Sequence, residues 1–80
     1  MSSEYPPLRY RDVIHGLKVL GFELRPKGST AHEHWVKYNK GGILKVTVDK
    51  HLEPFGQKLI TSMAAQAGVS KKDFYKACWQ

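Results

Sequence analysis

Apolar residues recur along this chain in two rhythms, and the changes from one to the other mark its elements. From Tyr10 to Leu20, Val13, Ile14, Leu17 and Leu20 keep the i, i+3, i+4, i+7 spacing of one helix face, and Gly21 stands where a left-handed C-terminal cap is expected. Pro6-Pro7 forbids a helix start before Leu8 and predicts an extended lead-in over residues 1–9. Period two takes over in Phe22-Glu23-Leu24-Arg25, a short first strand interrupted by Pro26 and Gly28, with a turn over residues 26–31. His34-Trp35-Val36-Lys37-Tyr38 predicts a second strand, and the cluster Asn39-Lys40-Gly41-Gly42 a hairpin turn. Ile43 to Val48 is the clearest strand, with Leu44, Val46 and Val48 on one face, Lys45 and Thr47 on the other, and Ile43 breaking the alternation at the edge. Beyond Pro54 the helical spacing returns: Leu59, Ile60, Met63 and Ala67 form one stripe from Phe55 or Gly56 to a stop at Gly68. Ser70-Lys71-Lys72-Asp73 has the form of a capping box with Asp in the acidic place, opening a last short helix through Phe74, Tyr75 and Ala77.

This order predicts an α+β fold. A three-stranded antiparallel sheet packs one face on helices and leaves the other free, in the α-β-β-β-α order shared with double-stranded RNA-binding domains, plus a short C-terminal helix. Residues 10–80 are expected to form a single domain, since a chain of 80 residues with 41% hydrophobic content can build one core and no more.

Charge narrows the choice of partner. Thirteen Lys and Arg against seven Asp and Glu give a net charge of +6, which on so small a surface attracts nucleic acid, an acidic protein or an anionic membrane. No apolar run approaches the roughly 20 residues needed to span a bilayer, and Met1-Ser2-Ser3-Glu4-Tyr5 lacks a signal-peptide core. The single cysteine, Cys78, has no intrachain partner for a disulfide. A cytoplasmic protein with no membrane partner is expected.

The chemistry concentrates in Lys27-Gly28-Ser29-Thr30-Ala31-His32-Glu33-His34-Trp35. His32 and His34, two apart, share a face with Val36 and Tyr38 if all lie in the second strand. Three readings compete there. A zinc site would use the pair with His51 or Cys78 as a third ligand, but no C-x-x-C or H-x-x-x-H spacing accompanies it. The pair could instead simply face solvent from a strand. The third reading is metal-free RNA cleavage: RNA carries its own nucleophile, the 2′-hydroxyl, and needs a base, a proton donor and positive charge around the phosphate. Histidine, with an unperturbed pKa of ~6.5, can serve as base or acid near neutrality. Arg25 and Lys27 flank the turn as phosphate contacts, Gly28 and Ser29 offer backbone amides, and Lys37 and Lys45 add positive charge. Glu33 points to the opposite strand face and is a poor orienting partner for His32. Trp35 reads as packing, His15 as a helix boundary residue and Cys78 as passive.

These residues resemble the HicA family of toxin endoribonucleases from bacterial and phage toxin-antitoxin systems. The likeness runs from about Val13 to Phe74, through Gly21-Phe22-Glu23-Leu24, Lys27-Gly28-Ser29 with a following histidine, Lys45-Val46-Thr47-Val48 with His51 three residues on, and Leu59-Ile60 to Gln66-Ala67-Gly68-Val69-Ser70. Many members carry His directly after Ser. Here Thr30 and Ala31 intervene, and His32 is aligned because His32-Glu33-His34-Trp35 resembles the family's His-x-x-aromatic continuation. Asp49 stands where members commonly have proline. The resemblance implies the toxin of a type II system: an endoribonuclease cleaving mRNA without metal or other cofactor, His32 as catalytic general acid or base, His34 and His51 as secondary candidates, and a HicB-type antitoxin covering the basic face. The alternatives are a non-catalytic RNA-binding or antitoxin-binding module of the same fold, or a domain whose basic surface meets an acidic protein.

Overall fold

The computed structural model describes residues 5–25 and 32–80. Along the chain come α1 (Tyr10–Val19), β1 (Glu23–Leu24), β2 (His32–Asn39), β3 (Gly42–Asp49), a 3-10 turn (Lys50–Leu52), α2 (Gln57–Ala67) and α3 (Lys71–Cys78). The strands form one antiparallel sheet in the order β1-β2-β3. This is the α+β arrangement that the apolar rhythm predicts. The turn expected over residues 26–31, with Lys27, Gly28 and Ser29, lies outside the described residues.

Helix ends fall where their capping chemistry stands in the sequence. After α1, Gly21 takes φ 99°, so its N–H reaches Lys18 O and that of Phe22 reaches Leu17 O, the paired closure of a Schellman end. Gly68, at φ 77°, ends α2 in the same way, with its own N–H on Ala65 O and that of Val69 on Ala64 O. At the start of α3 the Ser70 hydroxyl accepts the Asp73 N–H at 3.1 Å, which is the serine half of the expected capping box. Both long strands exceed their predicted spans, because the hairpin pairing continues from Asn39↔Gly42 to His32↔Asp49 without a break. In the turn, the Asn39 side chain accepts the Gly41 N–H at 3.1 Å.

The sheet has one covered and one open face. Trp35, Val46 and Val48 point into a core shared with Val13 and Leu17 of α1, Ile60 and Met63 of α2 and Phe74 of α3. Leu8 belongs to the same core, 1% exposed, and is held by paired backbone hydrogen bonds to Phe55. The other face carries the alternate residues, and Ile43 takes its regular place there opposite Tyr38. β3 is an edge strand, and α2 covers part of that edge: the Thr47 N–H donates to Gln66 Oε1 at 3.0 Å. Gly16 lets α1 and α3 approach closely, since a Cβ on it would lie 2.5 Å from Cys78 Sγ.

Candidate functional site

The hairpin register decides what the histidines face. Across β2 and β3 the open-face pairs are His32↔Asp49, His34↔Thr47, Val36↔Lys45 and Tyr38↔Ile43. The Thr47 N–H points outward to Gln66, so these are the non-hydrogen-bonded pairs of the ladder, whose side chains stand closest together. On the other side of β2, Glu23 lies opposite Val36. Val36 is therefore flanked by Glu23 and Lys45 in register, and among the described residues it is the one apolar side chain buried on this face.

Two histidine environments result. His32 Nε2 lies 3.3 Å from Asp49 Oδ2, with the His32 side chain 60% exposed and the Asp49 side chain 20%. The second Asp49 oxygen accepts the backbone N–H of His51 at 3.0 Å, which fixes the carboxylate from behind. His34 Nδ1 lies 3.3 Å from Thr47 Oγ1, and its carbonyl accepts the Arg25 N–H at 2.8 Å. One ring is thus paired with a carboxylate and the other with a hydroxyl.

The structure brings some of the predicted residues together and separates others. His32, His34, Arg25 and Lys45 share the open face, with Arg25 and Lys45 both exposed. His51 sits in the 3-10 turn, contributing its backbone N–H to Asp49 while the residue itself is exposed. Lys37 is on the covered side of the sheet, its ammonium 6.0 Å from the centre of the Phe22 ring. Glu33, also on that side, accepts the Tyr10 hydroxyl at 2.7 Å on each oxygen and Trp35 Nε1 at 3.2 Å. Burial first, then the hydrogen bond and charge of Glu33, push the Tyr10 hydroxyl up to about 12.

Asp49 and Thr47 are the residues that sequence reading missed as histidine partners. The signal was present: a hairpin centred on Lys40-Gly41 fixes every cross-strand pair by counting outward, and the count from Asn39↔Gly42 reaches His32↔Asp49.

Beside His32, a cleft of about 220 Å³ opens between the Thr47–Asp49 end of β3 and the face of α2 that carries Leu59, Ser62 and Gln66. Among the described residues no three His, Cys, Asp or Glu side chains converge as a metal-binding group. Cys78, the third zinc ligand considered, packs against Gly16 instead, where burial above all, and then the Asp12 charge, push its thiol up to about 12. No helix among the described residues is long and apolar enough to cross a membrane.

The family model described as "HicA toxin of bacterial toxin-antitoxin" matches residues 10–69, from the first residue of α1 past the end of α2. Searches of curated proteins and of solved structures returned no match. The matched span contains the whole sheet and the histidine face, and by that match the chain belongs to the HicA toxin family of bacterial toxin-antitoxin systems.

Proposed function

We propose that this HicA-family protein is the toxin of a type II system and an endoribonuclease that cleaves mRNA in the cytoplasm without a metal. His32 is its catalytic histidine. The observation that carries this reading is the His32 imidazole held at 3.3 Å by Asp49 on the open face of a strongly basic domain. In the proposed reaction His32 takes the proton of a ribose 2′-hydroxyl as that oxygen bonds to the adjacent phosphorus. The bond from phosphorus to the 5′-oxygen breaks, and that oxygen receives a proton, leaving a 2′,3′-cyclic phosphate and a 5′-hydroxyl. His34, on the same face, is the candidate proton donor, and His51 is the reserve. Asp49 acts as a positioning residue: its fixed carboxylate orients the His32 ring and stabilises the imidazolium formed on proton transfer.

Arg25, whose N–H donates to the His34 carbonyl, and Lys45, opposite Val36 on the same face, supply positive charge to the phosphate backbone. The predicted contacts at Lys27, Gly28 and Ser29 belong to the same proposal, as does Lys37 at the covered side. A HicB-type antitoxin that covered the open face would occlude His32, Arg25 and Lys45 together, so one interface would block binding and chemistry.

The test is His32→Ala. Cleavage of a single-stranded RNA should fall by about a hundredfold or more, in line with loss of a general acid-base group, and growth arrest on expression should be relieved. RNA affinity and the thermal midpoint should persist, since the side chain is exposed. A variant that cuts as fast as the parent would remove His32 from the mechanism. A parent that binds RNA and never cuts it would make the domain a non-catalytic RNA-binding module.

A further inference from the structure

The cleft next to His32 extends beyond the His32–Asp49 pair into a lining from α2 and its approach that the cleavage step does not use. Its floor includes Phe55 and Met63, 2% and 5% exposed, and Leu59 of α2 forms a more accessible wall. Thr47, Ser62 and Gln66 bring polar groups to it. At about 220 Å³ it is smaller than the roughly 300–1,000 Å³ typical of clefts for drug-sized ligands. It suits one planar ring.

We propose that this cleft receives a single unpaired RNA base from a nucleotide adjoining the phosphate at His32, and that Gln66 reads the edge of that base. The inference rests on the reading of His32 as an RNA-cleaving group. Single-stranded RNA is recognised by splaying bases out, seating them against aromatic or apolar walls and hydrogen-bonding their edges. Here the apolar walls, the edge-reading groups and the histidine belong to one continuous lining. A base entering it keeps its own phosphate beside the His32–Asp49 pair.

The orientation of the Gln66 amide follows from its hydrogen bond to β3. A backbone N–H can only donate, so the Thr47 N–H at 3.0 Å requires the amide oxygen of Gln66 to face β3. The amide nitrogen is then the end of that side chain not turned to the Thr47 N–H, and it is the donor proposed for the cleft that Gln66 lines. It selects a base edge that offers an acceptor. Ser62, one helical turn earlier, presents a hydroxyl that can donate or accept, so the directional preference comes from Gln66.

The experiment is cleavage of a randomised single-stranded RNA pool by the parent protein and by Gln66→Glu, with the cut sites read by sequencing. Glutamate keeps one oxygen for the Thr47 N–H and replaces the donor at the cleft with an acceptor. The parent should favour particular bases at one position beside the cut, and the variant should change that preference by about tenfold or more, the scale of one base-edge contact. Each preference is a ratio within one enzyme, so a general loss of rate from the added negative charge does not mimic it. A second measurement does not need turnover: uncleavable 2′-O-methyl hexanucleotides of a single base each, added to the ¹⁵N-labelled parent, should shift the backbone amides of Leu59, Ser62 and Gln66. If the parent cuts RNA and Gln66→Glu keeps the same base preference, the base-reading role is overturned while the nuclease reading stands. Oligonucleotides that shift only the open sheet face, leaving α2 unmoved, would overturn the cleft as a base site. Complete failure of the parent to cut RNA would remove the nuclease reading and this inference with it.

Discussion

His32 and His34 are equivalent by composition and by strand face, and a single residue opposite each one separates them. Asp49 gives His32 a carboxylate at 3.3 Å, and Thr47 gives His34 a hydroxyl at the same distance. Asp49 is also an anion placed where a polyanion is proposed to bind, so its two effects have opposite signs. Replacing it with Asn removes local repulsion and should tighten RNA binding modestly. The same change deprives the His32 ring of a charged acceptor and should slow cleavage by on the order of tenfold, a fraction of a full acid-base contribution. Measured together, affinity and single-turnover rate should therefore move apart in Asp49→Asn. If both rise, the carboxylate is only a surface charge and does not position His32. The face of each histidine was legible from alternation alone, and so was the exclusion of Glu33. The partners were not, because they depend on cross-strand pairing, which strand-by-strand reading does not follow. Lys37 is a different case: strand parity, itself legible from alternation, puts it with Trp35 on the covered side, although its charge suggests a phosphate contact.

Among the elements, α1 and α3 meet through Gly16, at a contact where two general tendencies oppose each other. Within a helix, Gly→Ala ordinarily stabilises by roughly 0.5–1 kcal/mol through backbone entropy. At Gly16 the added Cβ would lie 2.5 Å from Cys78 Sγ and 3.0 Å from the Cys78 backbone nitrogen. Overpacking of that kind costs typically about 1–3 kcal/mol, which exceeds the entropic gain. Gly16→Ala should thus lower the urea midpoint, and the loss should shrink in a Cys78→Ala background, where the sulfur is gone and the backbone contact remains. Equal losses in both backgrounds would place the strain elsewhere. The sequence showed that α1 is a helix and where it ends, because periodicity and Gly21 are local signals. It did not show that Gly16 is a helix-helix contact, because the need for a missing side chain comes from a residue 62 positions away.

For the molecule as a whole, the order of elements was legible because each apolar run has one period and is bounded by proline, glycine or a capping residue. How those elements are fastened was not. Tyr10 joins α1 to β2 through Glu33, and Tyr75 joins α3 to α2 and the N-terminal segment through Gln57 and the Pro6 carbonyl. Cys78 sits between α3 and α1. All three groups hold their protons more tightly in the fold. Burial is the first cause in each case, taking Tyr10 from 10.0 to about 12 and Cys78 from 9.0 to about 12, and raising Tyr75 as well. Between about pH 9 and pH 12 the unfolded chain therefore binds fewer protons than the folded one, and stability must fall as pH rises through that window. Below pH 9 both states keep these protons and the contribution is complete. In about 0.15 M salt, where the Debye length is about 8 Å, the urea midpoint should stay level from pH 7 to 9 and then decline. Tyr10→Phe keeps the ring and removes one of the titrating groups, so its decline above pH 10 should be shallower than the parent's, even though its midpoint at pH 7 is lower for loss of the Glu33 bond. A Tyr10→Phe curve running parallel to the parent's through pH 12 would show that this hydroxyl does not hold its proton through the fold.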